Sequence, residues 1–390
     1  MARRFDLDWL RVLLFGLLVL HHTAVGFAPF GQAIYGFAND TGGGPPMALA
    51  IYWSHGWRLP ALFLIAGIGT WFATARGAGA GFMARRITRL LVPFLVGSLV
   101  LNLAAGLAVI AILGIEDPDL SSGPEWWLPM PPFLAMHLWF LGNLALYTLL
   151  CWPLFLVRER LMALSALPVG WFVAALAAAV TAIAVATKPF GAAVTGEGYQ
   201  LYWYAGIFAG GYVIGAHHTA VLDWAARWVW WLLALGFVLF LTEVTLIETA
   251  RLTSDARAEA YAAGGWATRG LAPPFGAQAV AQTAVEGLNA WAWFLAALGL
   301  AARYLNQDGP WLRTLSPAVF PVYVLHFPVV LIGLALLSLV PWPWPLELLL
   351  LAVATFTLSG LGYLATTRMG PLAFAFGGRA QIASGSTSKA

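Results

Sequence analysis

Apolar runs of about twenty residues recur along the whole chain and constrain its fold more than any other feature. A helix needs ~20 such residues to cross a hydrocarbon layer, and inside that layer every backbone polar group must be bonded within the spanning element. Runs and breakers place about ten spans at 9–27, 59–75, 90–113, 134–157, 168–187, 199–217, 227–248, 277–303, 315–340 and 346–367. The expected fold class is therefore all-α, a polytopic transmembrane helical bundle. Only 9% of the 390 residues are charged and 61% are hydrophobic, against ~25% charged in soluble domains. That excludes an ordinary soluble enzyme. The 20 tryptophans sit mainly near the ends of the runs, as interfacial belts require.

Residues 1–370 read as one membrane domain and 371–390 as a largely disordered tail. A Gly/Pro-rich loop, Thr41-Gly-Gly-Gly-Pro-Pro46, follows the first span, and Met47–Trp57 reads as an amphipathic approach along the interface. The first run is longer than the ~7–15-residue apolar core of a signal peptide and carries charge, so it is expected to stay as a helix. Arg3, Arg4, Arg76, Arg85, Arg86, Arg89, Arg158, Arg160, Arg227, Arg303, Arg313, Arg379 and Lys389 fall on one side of such a bundle; the other has the acidic Glu116-Asp117-Pro118-Asp119 loop and fewer basic residues, Arg58, Lys188, Arg251, Arg257 and Arg269. The positive-inside rule then puts both termini in the cytoplasm. Cys151 is the only cysteine, so no intrachain disulfide or cysteine metal cluster can form.

The first span is the unusual one. Within Asp8–Phe27 lie an aspartate, an arginine and two histidines, each costing ~2.5–3.5 kcal/mol at membrane depth on insertion scales. Arg11 and His22 are eleven residues apart, which is nearly three turns, so both lie on one face ~16 Å apart along the axis. Asp8 sits one turn before Arg11. This stripe is the predicted functional axis. His21 points ~100° away from it and is expected to tolerate substitution.

Other candidates have two readings each. Arg85, Arg86 and Arg89 on the cytoplasmic lip of the third span either anchor the helix or grip a phosphorylated ligand. His55 and Arg58, one turn apart, and His137 beside Trp139 either snorkel to the outer interface or line a mouth there. His326, mid-span and followed by Pro328, and Glu286, with Asn289 one turn on, are either interhelical glue or site residues. Glu243 is expected near the outer surface, and His217 and His218 at an inert helix end. No His-x-x-x-His or Glu-x-x-His pattern occurs, so no metal is expected; a haem would need opposed histidines, for which His22 with His326 is the one candidate pair.

The ordered set Asp8-x-x-Arg11 with ten residues before His22, His55-Gly-Trp-Arg58-x-x-x-x-Phe63-Leu-Ile-Ala-Gly67, Arg86-x-x-Arg89-x-x-x-Pro93, His137-Leu-Trp-Phe-Leu141 and Tyr323-x-x-His326-x-Pro328 resembles acyltransferase family 3, and within it the glucan biosynthesis protein C branch. The chain departs from that branch in having Ala66 where a serine often precedes the glycine, and Phe327 where a second histidine can follow. The resemblance implies a multi-pass protein of the bacterial inner membrane. It would move an acyl group, succinyl or acetyl, from cytoplasmic acyl-CoA to a hydroxyl of a periplasmic glycan. In that scheme His22 is the base, with Asp8, Arg11, His326 and Glu286 along the catalytic axis. Arg85, Arg86 and Arg89 take the CoA phosphates, and His55, Arg58, His137 and Trp139, with Trp126 and Trp127, take the acceptor. Arg58 is also a candidate partner for a free carboxylate on the acyl chain. The implied partners are the glycan and the lipid bilayer, with self-association open and no nucleic acid. The rival reading is a proton-coupled transporter or flippase using the same intramembrane polar residues.

Overall fold

The computed structural model describes residues 4–37, 42–116, 132–187, 199–252 and 277–378, and these contain helices, turns and no strand. The helices are α1 (Asp6–Val25), α2 (Gly31–Tyr35), α3 (Gly44–Ala73), α4 (Ala80–Val96), α5 (Leu103–Leu113), α6 (Pro132–Ala135), α7 (Trp139–Leu150), α8 (Trp152–Leu156), α9 (Arg158–Met162), α10 (Val169–Thr187), α11 (Tyr199–Ala216), α12 (His218–Leu252), α13 (Ala277–Tyr304), α14 (Pro310–Leu337) and α15 (Trp344–Thr366). Eight helical segments among the described residues are long and apolar enough to cross a membrane. The other two expected spans are helical but differently built. Residues 134–157 are broken into α6, a 3-10 turn over Met136–Leu138, α7 and α8, while α11 is an 18-residue helix.

Both nonetheless traverse the bundle. Arg4 bonds Asp223 at the start of α12, and the Phe5 amide donates to Asn306 after α13. The Phe72 ring lies 4.9 Å from His218, Trp152 Nε1 donates to the Ala78 carbonyl, and Arg158 donates to the Trp71 carbonyl. These contacts gather the end of α3, the start of α4, the ends of α8 and α13 and the start of α12 at one end, called here the basic end. The chain leaves it on α4–α5 and must return through α6–α8. It leaves again on α10 and returns on α11.

Three expectations are corrected. Met47–Trp57 is not a separate interfacial helix: it is the first part of the continuous 30-residue α3, which starts with Pro45 and Pro46 in its first turn, where proline lacks only an N–H that has no helical partner anyway. The seventh span starts nine residues early, since α12 runs from His218. Ordered structure passes residue 370 as a 3-10 helix, Gly370–Phe376, with Ala373 buried; residues 379–390 lie outside the described residues.

α3 and α11 approach each other closely. A Cβ on Gly67 would collide with the Phe208 carbonyl, and one on Gly211 with the Leu64 carbonyl. Small residues let helix backbones approach where the lipid supplies no hydrophobic drive. That close approach seats Phe63, fully buried against Phe140, Tyr147 and Tyr204.

Candidate active site

α1, α3, α14 and the turn before α7 bring five of the seven histidines together. His22 Nδ1 lies 2.8 Å from His326 Nε2, and their rings stack at 5.1 Å and 3°. His137 meets His326 edge-on at 5.0 Å and stacks on Phe327 at 4.7 Å. On the other side His21 contacts His22 at 5.7 Å and stacks on His55 at 5.7 Å.

The tautomers follow from the partners, since a carbonyl accepts only. His326 Nδ1 is 2.7 Å from the Tyr323 carbonyl, so Nδ1 carries the proton and Nε2 accepts. His22 Nδ1–H must then donate to His326 Nε2, leaving His22 Nε2 with its lone pair. A run of hydrogen bonds from the α14 backbone thus aims one neutral imidazole as an acceptor of protons. His22 is half-buried and His326 fully buried, so His22 faces the accessible side of the pair.

The surrounding backbone is shaped to hold this cluster. α4 passes into α5 through a π-helical stretch, Gly97–Asn102, a feature that often marks functional sites. A Cβ on Gly97 would meet the Leu138 side chain, and Asn102 Nδ2 donates 2.8 Å to the Leu134 carbonyl. The widened turn therefore accommodates the 3-10 segment that carries His137. Met136, just before it, has φ 31°, a left-handed value costing of order 1–3 kcal/mol for a non-glycine residue. Tyr323 Oη donates to the His137 carbonyl, and Tyr35 Oη donates 2.6 Å to the His22 carbonyl. On α14, Pro328 removes the N–H that would bond the Val324 carbonyl, loosening the helix next to His326.

Arg58 is not at an outer interface. It is 2% exposed, and its Nε and Nη1 find no acceptor among the described residues. His55 is half-buried and His137 is buried, so the set predicted for an open mouth is instead the wall of the histidine cluster. Trp139 packs on Phe63 at 6.2 Å and Tyr204 at 6.0 Å; Trp126 and Trp127 lie outside the described residues. His21 is 5% exposed with Nδ1 3.1 Å from Ser54 Oγ, which itself donates to the Ile51 carbonyl. It belongs to the cluster through its contacts with His22 and His55.

At the other end of the stripe, Arg11 Nη2 is 2.6 Å from Ser316 Oγ and 3.6 Å from Asp8 Oδ1. It therefore ties α1 to α14 below the histidine pair. Asp6, which sequence reasoning passed over, is fully buried and paired with Arg4 at 2.7 Å. The three arginines of the lip separate: Arg86 turns inward to Thr70 Oγ1 and Thr148 Oγ1, whereas Arg85 and Arg89 are exposed. Arg158, also overlooked, stacks on the Trp71 ring at 3.7 Å. Glu286 is buried on α13. Its expected partner Asn289 instead donates 2.6 Å to Glu243, which also accepts 2.6 Å from Tyr52 Oη and is 1% exposed, in the half of α12 away from the basic end. Among the described residues no group of side chains is arranged to hold a metal ion.

A multi-pass helical bundle with a hydrogen-bonded histidine pair inside it has the fold of a polytopic membrane protein. The chain matches the acyltransferase domain over residues 4–364 and belongs to acyltransferase family 3. No curated protein and no solved structure matches it.

Proposed function

We propose that this membrane acyltransferase takes its acyl group from acyl-CoA on the cytoplasmic side and delivers it to a hydroxyl of an extracytoplasmic glycan, with His22 as general base. The observation that carries the reading is the bond from His22 Nδ1 to His326 Nε2, which leaves His22 Nε2 as acceptor. In the step, His22 Nε2 takes the hydroxyl proton while the oxygen attacks the thioester carbonyl. The tetrahedral intermediate collapses, the C–S bond breaks, and His22 returns the proton to the departing thiolate.

The remaining residues take roles along this route. Exposed Arg85 and Arg89 at the basic end meet the CoA phosphates, with Arg86 fixed behind them. Arg11, held by Asp8 and Ser316, sets the register of α1 beneath the pair. Glu286 lines the passage through the bundle, and His55, Arg58, His137 and Trp139 wall the acceptor side. A periplasmic glucan as acceptor, succinyl or acetyl as the acyl group, and the bacterial inner membrane as location complete the proposal. The test is release of free CoA by detergent-purified protein given acetyl-CoA or succinyl-CoA, with and without a glucan oligosaccharide. Acceptor-dependent release lost in His22→Ala supports the reading. Release unaffected by that substitution, or gradient-driven transport in vesicles without any CoA release, sinks it.

A further inference from the structure

Arg58 is a charge deep in the bundle without a described counter-charge. It lies on α3 one turn after His55, whose ring stacks on His21, and its charge reaches His21, His22 and His326. Nε and Nη1 are buried and no described residue accepts from them. Taking an ion out of water without a partner costs several kcal/mol, so an arginine kept in this state marks a place where negative charge arrives. Neutral imidazoles cannot supply it. Tyr35, within reach of the same charge, spends its hydroxyl proton on the His22 carbonyl.

We propose that Arg58 is a catalytic residue that holds the oxyanion of the tetrahedral intermediate formed beside His22. This rests on the acyl-transfer reading above and adds the electrophilic half of the step. As the acceptor oxygen bonds to the carbonyl carbon, the π pair moves onto the carbonyl oxygen, and that oxygen becomes the anion. The buried guanidinium N–H groups meet it there. The C=O bond then reforms as C–S breaks, and the charge leaves with the thiolate until His22 reprotonates it. Donors preorganised in this way typically account for ~10²–10³-fold in turnover. A second source of the same charge is a carboxylate at the far end of a dicarboxylic acyl chain, and it predicts different behaviour.

The experiment compares wild type with Arg58→Met and Arg58→Lys, using acetyl-CoA, butyryl-CoA and succinyl-CoA. Folding is followed by thermal melting in detergent. A second arm measures binding of CoA and of a CoA analogue whose thioester carbonyl is replaced by a methylphosphonate, a tetrahedral anion. The expected result is a turnover fall of about 10²–10³-fold for all three donors in Arg58→Met with KM nearly unchanged, partial recovery in Arg58→Lys, and loss of the wild-type preference for the phosphonate over CoA. A loss confined to succinyl-CoA and appearing in KM overturns the proposal and makes Arg58 a reader of the acyl chain. So does equal preference for the phosphonate in wild type and Arg58→Met, or an Arg58→Lys protein that melts normally yet behaves as wild type. Wild-type protein that binds neither CoA compound removes the donor reading itself, and the oxyanion assignment falls with it.

Discussion

His22 and His326 differ in what each contributes, and substitutions separate them. If His22 is the base as proposed, His22→Ala is expected to lower turnover by ~10²–10⁴-fold while leaving CoA binding intact, read as CoA release and as CoA affinity on the same preparation. His326 only accepts from His22 Nδ1–H, so a side chain that also accepts should keep the tautomer. His326→Gln is therefore expected to retain more turnover than His326→Phe, which offers no acceptor. Equal activities would mean that His326 supports packing alone. His21, bonded to Ser54, is a stability residue on this geometry: His21→Ala should cost ~1–3 kcal/mol in a detergent melt with a much smaller loss of turnover than His22→Ala. Helical period made the Arg11–His22 face legible from sequence, because both residues lie on one element. His22 and His326 stand out in sequence as the one candidate opposed pair, but the direct bond between them and its direction depend on how α14 is set against α1. The inward turn of Arg86 was hidden for the same reason: its partners Thr70 and Thr148 belong to other helices.

At the level of elements, the apolar runs disclosed the long helices, but run length says little where a helix is interrupted. The fourth run looks continuous in hydropathy, yet Met136–Leu138 tightens to a 3-10 turn to present His137, and α4–α5 widens to a π turn facing it. Neither change alters composition. The α3–α11 contact is a related case, where Gly67 stands out in sequence but its need for bareness is set by the Phe208 carbonyl. Gly67→Val should push the two helices apart and destabilise by ~1–3 kcal/mol, seen as a lower melting temperature; a variant that melts as wild type would show that the close approach is dispensable. Buried Glu243 ties α12 to α3 through Tyr52 and to α13 through Asn289. Glu243→Ala removes the acceptor that Tyr52 Oη and Asn289 Nδ2 share, at a cost of ~1–3 kcal/mol for a buried donor that loses its bond. Glu243→Gln keeps an acceptor oxygen and should melt closer to wild type.

For the whole molecule, side matters as much as position. Arg4, Arg76, Arg85, Arg89, Arg158, Arg160, Arg227, Arg303 and Arg313 fall at or near one end, through which the chain passes repeatedly. Arg58 lies halfway along α3, away from that end, and is buried. The positive-inside rule predicts that an end so rich in arginine faces the cytoplasm; on the proposed route that would leave Arg85 and Arg89 open to a cytosolic donor and the far side to the acceptor. The prediction is testable with Cys151→Ser as background. A cysteine at position 80, at the start of α4, should react with a membrane-impermeant thiol reagent only after permeabilisation. Cysteines at 120 and at 339, the latter in the exposed turn after α14, should react in intact cells. Two sites on separate loops are needed because the odd crossings, α6–α8 and α11, are the ones least like ordinary spans. If either failed to cross, positions 120 and 339 would fall on different sides. Labelling of 120 alone from outside would place a re-entrant segment between them, and labelling of 80 alone would invert the bundle and put the arginine lip on the acceptor side, where it could not meet cytosolic acyl-CoA.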